Sequence, residues 1–299
     1  LAAVAAVFSL LSPRFLDPAN LLNVVVQASS VGIVATGMAF VLLTAGIDLS
    51  VGAVMLVSAA VAGKLALAGA SLPVVFGTVL LVGALFGAVN AAFVTKAGVK
   101  AFVVTLATLY VGRGLGLFVT ETRALNLPDS ILAVGSARPL GVPVPALVLG
   151  LVLAAAHIVL TRTPFGRHVY AVGHDAAAAR RAGLPAGRVL FAVYVISGTL
   201  ASLGGAVAVA QLGAVSPTFG REREFAAVAA AVLGGVSLFG GRGSVLPGVL
   251  LGALLVQTVE NGLVIVNADP YLYPIVMAGV IFLAVLLDSA RGSKRRDAR

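Results

Sequence analysis

Neither cysteine nor tryptophan occurs in the 299 residues, and only 10% of them are charged. Without cysteine there is no disulfide framework, no thiolate metal site and no thiol nucleophile. The three histidines, His157, His168 and His174, have no spacing that repeats with acids or with one another, so neither a metal nor a cofactor is expected. No glycine-rich turn ends in Gly-Lys-Ser or Gly-Lys-Thr, which removes the phosphate-loop route to ATP hydrolysis. Clusters of catalytic acids are missing from the apolar stretches as well, and no enzymatic activity is expected.

What is present in their place is hydrocarbon. Hydrophobic residues make up 60% of the chain, and the mean hydropathy is +1.10, far outside the make-up of a water-soluble domain. Lipid is the solvent this sequence expects. The formal charge of +9 does not point to nucleic acid, because the basic residues sit in short inter-helix segments and at the C-terminus, not along one stripe.

A bilayer core takes about 20 apolar residues per helix, since each backbone amide must be satisfied within its own segment. Candidate spans run over residues 24–44, 49–68, 73–95, 101–119, 144–160, 189–211, 225–238, 245–263 and 272–287. The apolar run 1–11 is too short to span and is expected to be the remnant of a first helix. The expected fold is therefore all-α and polytopic, with about ten transmembrane helices, some broken or re-entrant, in a single transmembrane domain over residues 1–299.

Lys and Arg in short loops are retained on the cytoplasmic side. Lys96 and Lys100 flank one such loop; Arg162, Arg167, Arg180, Arg181 and Arg188 crowd another; Arg291, Lys294, Arg295, Arg296 and Arg299 form the tail. Ten helices beginning inside place all three in the cytoplasm, with 120–143 and 267–273 outside. Arg113, Arg123 and Arg138 then fall at or in the outer loop, offset in part by Glu121 and Asp129.

Many of the 35 glycines lie on small-residue helix faces, such as Gly83 with Gly87 and Gly248 with Gly252, where backbones can approach closely. Glycine-rich breaks interrupt the helices near 45–48 and again near 234–235 and 240–241. Paired breaks point to a solute path in transporters.

Three segments carry the polar chemistry. In 37–52, Asp48 interrupts a long apolar stretch, and a carboxylate at that depth must be paired, hydrated or used as a cap. Capping of the next helix by Asp48 or Ser50, with Gly46 supplying a turn, stands beside a role in contacting solute. In 163–185, Asp175 precedes an Ala-rich turn ended by Gly183 and Pro185, which predicts a short capped helix outside the membrane. It is either a solvated connector or a docking element for a cytoplasmic partner. In 222–244, the run Gly240-Gly241-Arg242-Gly243 predicts a tight turn with Arg242 on the surface. Glu260, beside Asn261, is the other acid near membrane depth and is expected either in an interhelical hydrogen bond or on the transport path.

Read together, these segments resemble the permeases of ribose-type and related sugar importers driven by ATP-binding-cassette ATPases. The resemblance rests on Leu-Thr-Ala-Gly-Ile-Asp-Leu-Ser-Val-Gly over 43–52, on Gly166-Arg167, Tyr170-Ala171-Val172-Gly173, Ala178-Ala179-Arg180 and Gly183, and on Glu224, Leu233-Gly234-Gly235 and 240–244. It extends from Asn20-Leu21-Leu22-Asn23 to Asn261-Gly262-Leu263. The resemblance implies a permease in a bacterial inner membrane with its C-terminus cytoplasmic, a second permease copy, two cytoplasmic ATPase subunits and an extracytoplasmic solute-binding protein.

It further implies that 163–185 is the coupling segment, through Gly166, Arg167, Tyr170, Gly173, Ala178, Ala179, Arg180 and Gly183. Ala177 stands where the family usually has an acid and His174 where it usually has glycine, which shifts the expected coupling onto shape and onto Arg167, Arg180 and Arg181. Alternating access for a monosaccharide is the implied mechanism, with Thr44, Asp48, Ser50 and Glu260 expected on or near the path. Nucleosides and branched-chain amino acids remain alternative solutes, and an ion-coupled secondary transporter using Asp48 remains the alternative class.

Overall fold

The computed structural model describes the backbone of residues 1–269 and 271–296, and the side chains of 1–269, 271–283, 285 and 286. It is built of helices: α1 (Ala2–Leu11), α2 (Pro18–Leu43), α3 (Val51–Leu67), α4 (Leu72–Thr95), α5 (Ala101–Thr120), α6 (Asp129–Ser136), α7 (Val144–Arg162), α8 (Pro164–His174), α9 (Ala176–Arg181), α10 (Ala186–Leu212), α11 (Arg223–Leu233), α12 (Leu250–Ile265) and α13 (Leu272–Arg296). Of the basic tail, Arg299 and the side chains of Arg291, Lys294, Arg295 and Arg296 lie outside the described residues.

Six helices among the described residues are long and apolar enough to cross a membrane: α2, α4, α5, α7, α10, and α12 with its preceding turn from Val245. Shorter apolar helices α1, α3 and the start of α13 accompany them. Prolines at the first helical positions of α2, α4 and α7 stand where an amide would have no partner anyway. At the far ends, α5 stops at a left-handed Glu121 and α10 at a left-handed Gly213.

Two expected spans are shorter than their apolar runs. Helix α3 has 17 residues, or ~25 Å, and α11 has 11 residues, or ~16 Å, about half a bilayer core. Helix α11 stops because Gly234 caps it and Gly235 turns with a φ of 90°. Both short helices are largely buried within the protein, as irregular backbone at membrane depth requires.

The core is a sandwich of α2 and α10 with α3, α4, α11 and α12 around them. Helices α4 and α10 meet through glycine: a Cβ on Gly83 would lie 2.7 Å from Ser202 Cβ, and one on Gly87 would lie 2.8 Å from Val195 Cα. Gly248 and Gly252 meet Gly234 and Ala230 in the same way. With no hydrophobic drive between helices in lipid, such close backbone contact supplies the dispersion that holds them together. The two ends of the chain are tied by a reciprocal amide pair, Asn20 with Asn261, at 2.9 and 3.0 Å.

Helices α8 and α9 define one end of the bundle. The opposite end carries α6 and a small antiparallel ribbon of β1 (Leu125–Asn126) and β2 (Ala214–Val215). The sequence gives no periodic hint of this ribbon, which is two residues long on each side. Arg123 and Arg138 are exposed at this end. Arg113 is not in the outer loop: it lies inside α5 and turns into the protein.

Candidate functional site

Helix α2 unwinds at Thr44, whose Oγ1 donates to Val41 O at 2.8 Å, and Ala45 adopts a φ of 58°. The chain then turns back to start α3, which places Asp48 with 0% exposure among four helices. Asp48 Oδ1 accepts from Ser50 N at 3.0 Å and from Ser50 Oγ at 2.6 Å, and Oδ2 accepts from Ser197 Oγ on α10 at 2.8 Å. Asn90 on α4 donates to Ser50 Oγ at 2.8 Å and accepts from Thr108 Oγ1 on α5 at 2.6 Å. A buried acid at membrane depth is tolerated because this relay satisfies it.

Ser50 stands at the N-cap of α3 as expected, yet its hydroxyl makes no cap bond and turns to Asp48 instead. Asp48 takes the amide of Ser50, two residues on, rather than one in the first turn of α3. The local bond therefore forms an Asx-type turn, and the carboxylate's second oxygen is committed to α10. Beside it, Tyr194 Oη is buried with no hydrogen-bond partner among the described residues, and a Cβ on Gly46 would lie 2.7 Å from it.

A second break, 213–222, precedes α11. Arg113 reaches it from α5 and donates to Phe219 O and Gly220 O, both at 2.6 Å. Gly52, in the first turn of α3, packs against Gly220 O and Glu224 Oε2 with no room for a side chain. The N-termini of the two short helices thus abut, and Arg113 clamps the loop between them. Glu224 is buried, and its Oε2 has no hydrogen-bond partner among the described residues.

Above this junction lies a cavity of about 770 Å³ at the end opposite α8 and α9. Phe219, Gly220 and Met55 belong to its wall, together with Gln27, Gln257, Arg223 and Glu260. Gln257 Nε2 donates to Gln27 Oε1 at 2.8 Å, and Arg223 Nη1 stands 3.4 Å from both oxygens of Glu260. Glu260 is therefore in an interhelical ion pair, one of its two expected settings. A second cavity, of about 360 Å³, is lined by apolar residues between α3, α4, α6 and α10.

Thr44, Asp48 and Ser50 come together, but Glu260 is not with them. Ser197 lies about three turns of α10 from Ala208 in the cavity wall, a separation of ~16 Å. Among the described residues no three His, Asp or Glu side chains converge as metal ligands would.

Segment 163–185 folds as two short helices. Thr163 Oγ1 accepts from Gly166 N at 3.2 Å, and Pro164 opens α8. Gly166 lies against the Val159 and Leu160 carbonyls, so the turn out of α7 admits no side chain there. Gly173 packs on Leu43 O, 2.7 Å from Gly241 N at its Cβ position, and Gly241 N donates to Leu43 O at 2.9 Å. Tyr170 Oη donates to Gly243 O at 2.9 Å. The turn at 240–243 has three left-handed glycines and leaves Arg242 exposed, as its composition predicts.

Asp175 caps α9 by accepting from Ala177 N at 2.8 Å and Ala178 N at 2.9 Å. These two amides, that of Ala178 foremost, hold its carboxyl below the usual carboxylate range. Ala179 is buried on the inner face of α9, while Arg167, Ala178, Arg180, Arg181 and Gly183 are exposed. The expected coupling residues thus divide into a buried set, Gly166, Gly173 and Ala179 with the half-buried Tyr170, and an exposed set.

The model of the family described as "Branched-chain amino acid transport system / permease component" matches residues 20–286. The chain belongs to this family. The permease is 40% identical to the ribose import permease protein RbsC of Escherichia coli K12, over 97% of its own length and 92% of that protein's. It is 37% identical to the RbsC of Haemophilus influenzae, over 97% and 91%, and 37% identical to the D-allose transport system permease protein AlsC of Escherichia coli K12, over 96% and 89%. No solved structure matches it. It is a polytopic, all-α membrane protein, as the composition and hydropathy imply, and a transporter component, as the resemblance implies.

Several residues of the permease's polar core escape a reading of the sequence. Asn90 was missed, although a lone amide inside an apolar run is a signal that could have marked it. Ser197 and Thr108 look like any small residues of a helix face, and only packing turns them toward Asp48 and Asn90. Arg113 reads as a loop cation because nothing in its neighbours reveals the carbonyls of Phe219 and Gly220.

Proposed function

We propose that this chain is the membrane-spanning subunit of an ATP-driven importer for a monosaccharide, working by alternating access. The observation that carries this reading is near-full-length similarity to relatives named as ribose and allose permeases, together with the exposed basic pair of helices α8 and α9 at one end. On this reading α8 and α9 are cytoplasmic and enter a groove on an ATPase subunit, with Arg167, Arg180 and Arg181 facing it. The C-terminus lies on the same side. A second permease copy completes the assembly within membrane lipid, and a solute-binding protein docks at the end bearing α6 and the ribbon.

Glu260 then lines the path in the present conformation. Thr44, Asp48 and Ser50 lie in the sealed stretch beyond it, where the relay to Asn90 and Ser197 keeps the path closed. ATP-driven movement of the α8–α9 unit reaches that stretch through Gly173 and Leu43, which are in direct contact. The sealed end of the path thus has a physical connection to the coupling segment.

The test is a mild-detergent pull-down of the tagged chain with mass spectrometry of what remains bound. A co-purifying cassette ATPase is the expected result. A solitary chain that still drives proton-dependent uptake in vesicles overturns the proposal in favour of an ion-coupled carrier.

A further inference from the structure

The cavity of about 770 Å³ has two chemically distinct walls. One is apolar, with Phe219 and Met55; the other is polar, with the Gln27–Gln257 amide pair and the Arg223–Glu260 ion pair. The volume falls in the range of small-molecule sites. The bond between the two amides uses Gln257 Nε2 and Gln27 Oε1, which leaves Gln257 Oε1 as an acceptor and Gln27 Nε2 as a donor.

Glu260 is the one carboxylate among the lining residues, and Arg223 occupies it. An amino acid's ammonium group meets net positive charge in this lining, where Arg138, Arg221 and Arg223 stand against Glu260. A neutral polyhydroxylated ring meets what it needs: donors and acceptors in alternation for its hydroxyls, and an aromatic side chain for its C–H face.

We propose that this cavity is a solute site for a neutral monosaccharide, held between the Gln27–Gln257 pair and Phe219. The inference rests on the reading of the chain as a sugar permease and goes beyond it by naming the contacts. The floor of the site is the Phe219–Gly220 backbone that Arg113 grips, so solute placed here waits directly above the junction of the two short helices. Release inward then requires that junction to part.

The absence of cysteine makes the test direct. In the assembled transporter, reaction of Gln211→Cys, in the cavity wall but outside the Gln27–Gln257 pair, with a charged thiol reagent is timed with D-ribose or D-allose, and with leucine, added as probes. Occupancy slows labelling by a factor of 1 + [L]/Kd, about threefold at twice Kd. Arg123→Cys, at the same end but outside the cavity, serves as the control, and Asn23→Cys in the cavity wall is the second reporter should Gln211→Cys fail to assemble.

Protection of the cavity cysteine by a monosaccharide, with none at position 123 and none by leucine, is the expected result. Unslowed labelling at every sugar concentration overturns the proposal, as does equal protection by leucine or equal slowing at position 123. Co-purification of the ATPase is scored separately, so loss of the sugar site and loss of the importer reading give different patterns.

Discussion

Ser197, in the middle of α10, donates a 2.8 Å hydrogen bond to Asp48 Oδ2, across 149 positions of sequence. That bond fastens the break after α2 to the helix most central to the bundle. Through Ser50 and Asn90 the same carboxylate reaches α4 and α5. Four helices are therefore held by one acid.

Removing either partner leaves the other buried and unsatisfied. Ser197→Ala should cost about 1–3 kcal/mol, seen as a lowered thermal midpoint in detergent. Asp48→Asn should fold and retain most transport, because the Ser197 hydroxyl can rotate to accept from the new amide; Asp48→Leu should not assemble. Complete loss of transport by a well-folded Asp48→Asn would instead mark the carboxylate as a direct participant.

Arg113→Lys tests the clamp on the junction. A guanidinium fork reaches the carbonyls of Phe219 and Gly220 together, whereas an ammonium is a point donor. The variant should insert normally and show faster hydrogen exchange through 219–224. Exchange identical to the parent would remove Arg113 from the list of residues that hold the floor of the cavity.

Glycines at close helix contacts should separate cleanly from those facing open space. Gly173→Ala drives a methyl into Leu43 O, and no neighbouring backbone can yield without moving α2. Loss of ATPase coupling or of assembly is expected. Gly150→Ala, in α7 with nothing near its Cβ position, should be neutral or stabilising by about 0.5–1 kcal/mol. Matching effects at the two sites would contradict the packing described here.

Exposed arginines of α8 and α9 should affect coupling without affecting the fold. Arg167→Ala combined with Arg180→Ala is expected to lower stimulated ATPase activity several-fold with an unchanged thermal midpoint. Normal stimulation in the double variant would return α8 and α9 to the status of a connector.

Asp175 supplies a pH dependence with a defined sign. Its carboxyl is held below its ordinary value of 3.8 by the amides of Ala178 and Ala177, so the cap is fully present above that value. It is lost as acid carries the pH down through the lower, folded-state value. Asp175→Asn keeps a cap of similar strength but removes the titration. Protection of the α9 amides, relative to their intrinsic exchange rate at each pH, should fall at low pH in the parent and stay flat in the variant.

Sequence alone determined the class of this protein, because each requirement of a bilayer is local. Apolar runs of sufficient length, basic clusters in short loops and prolines at helix starts can each be read without knowing what packs where. The cap at Asp175 and the turn at 240–243 were legible for the same reason: both are built from residues within a few positions of one another. The motif around Asp48 was legible as unusual, but its bonds were not.

Tertiary structure decided how far the helices run and what the polar residues do. The apolar run at 49–68 is long enough on paper and that at 225–238, with 14 residues, is not, and α3 and α11 both end short, because glycine turns and the Gly52–Gly220 contact bring their N-termini together inside the protein. Arg113, Ser197 and Gln257 carry no local mark of their partners, which lie 106, 149 and 230 positions away. Charge pairing and hydrogen bonding act over a few ångströms of space and are indifferent to distance along the chain, so only the folded arrangement could assign them.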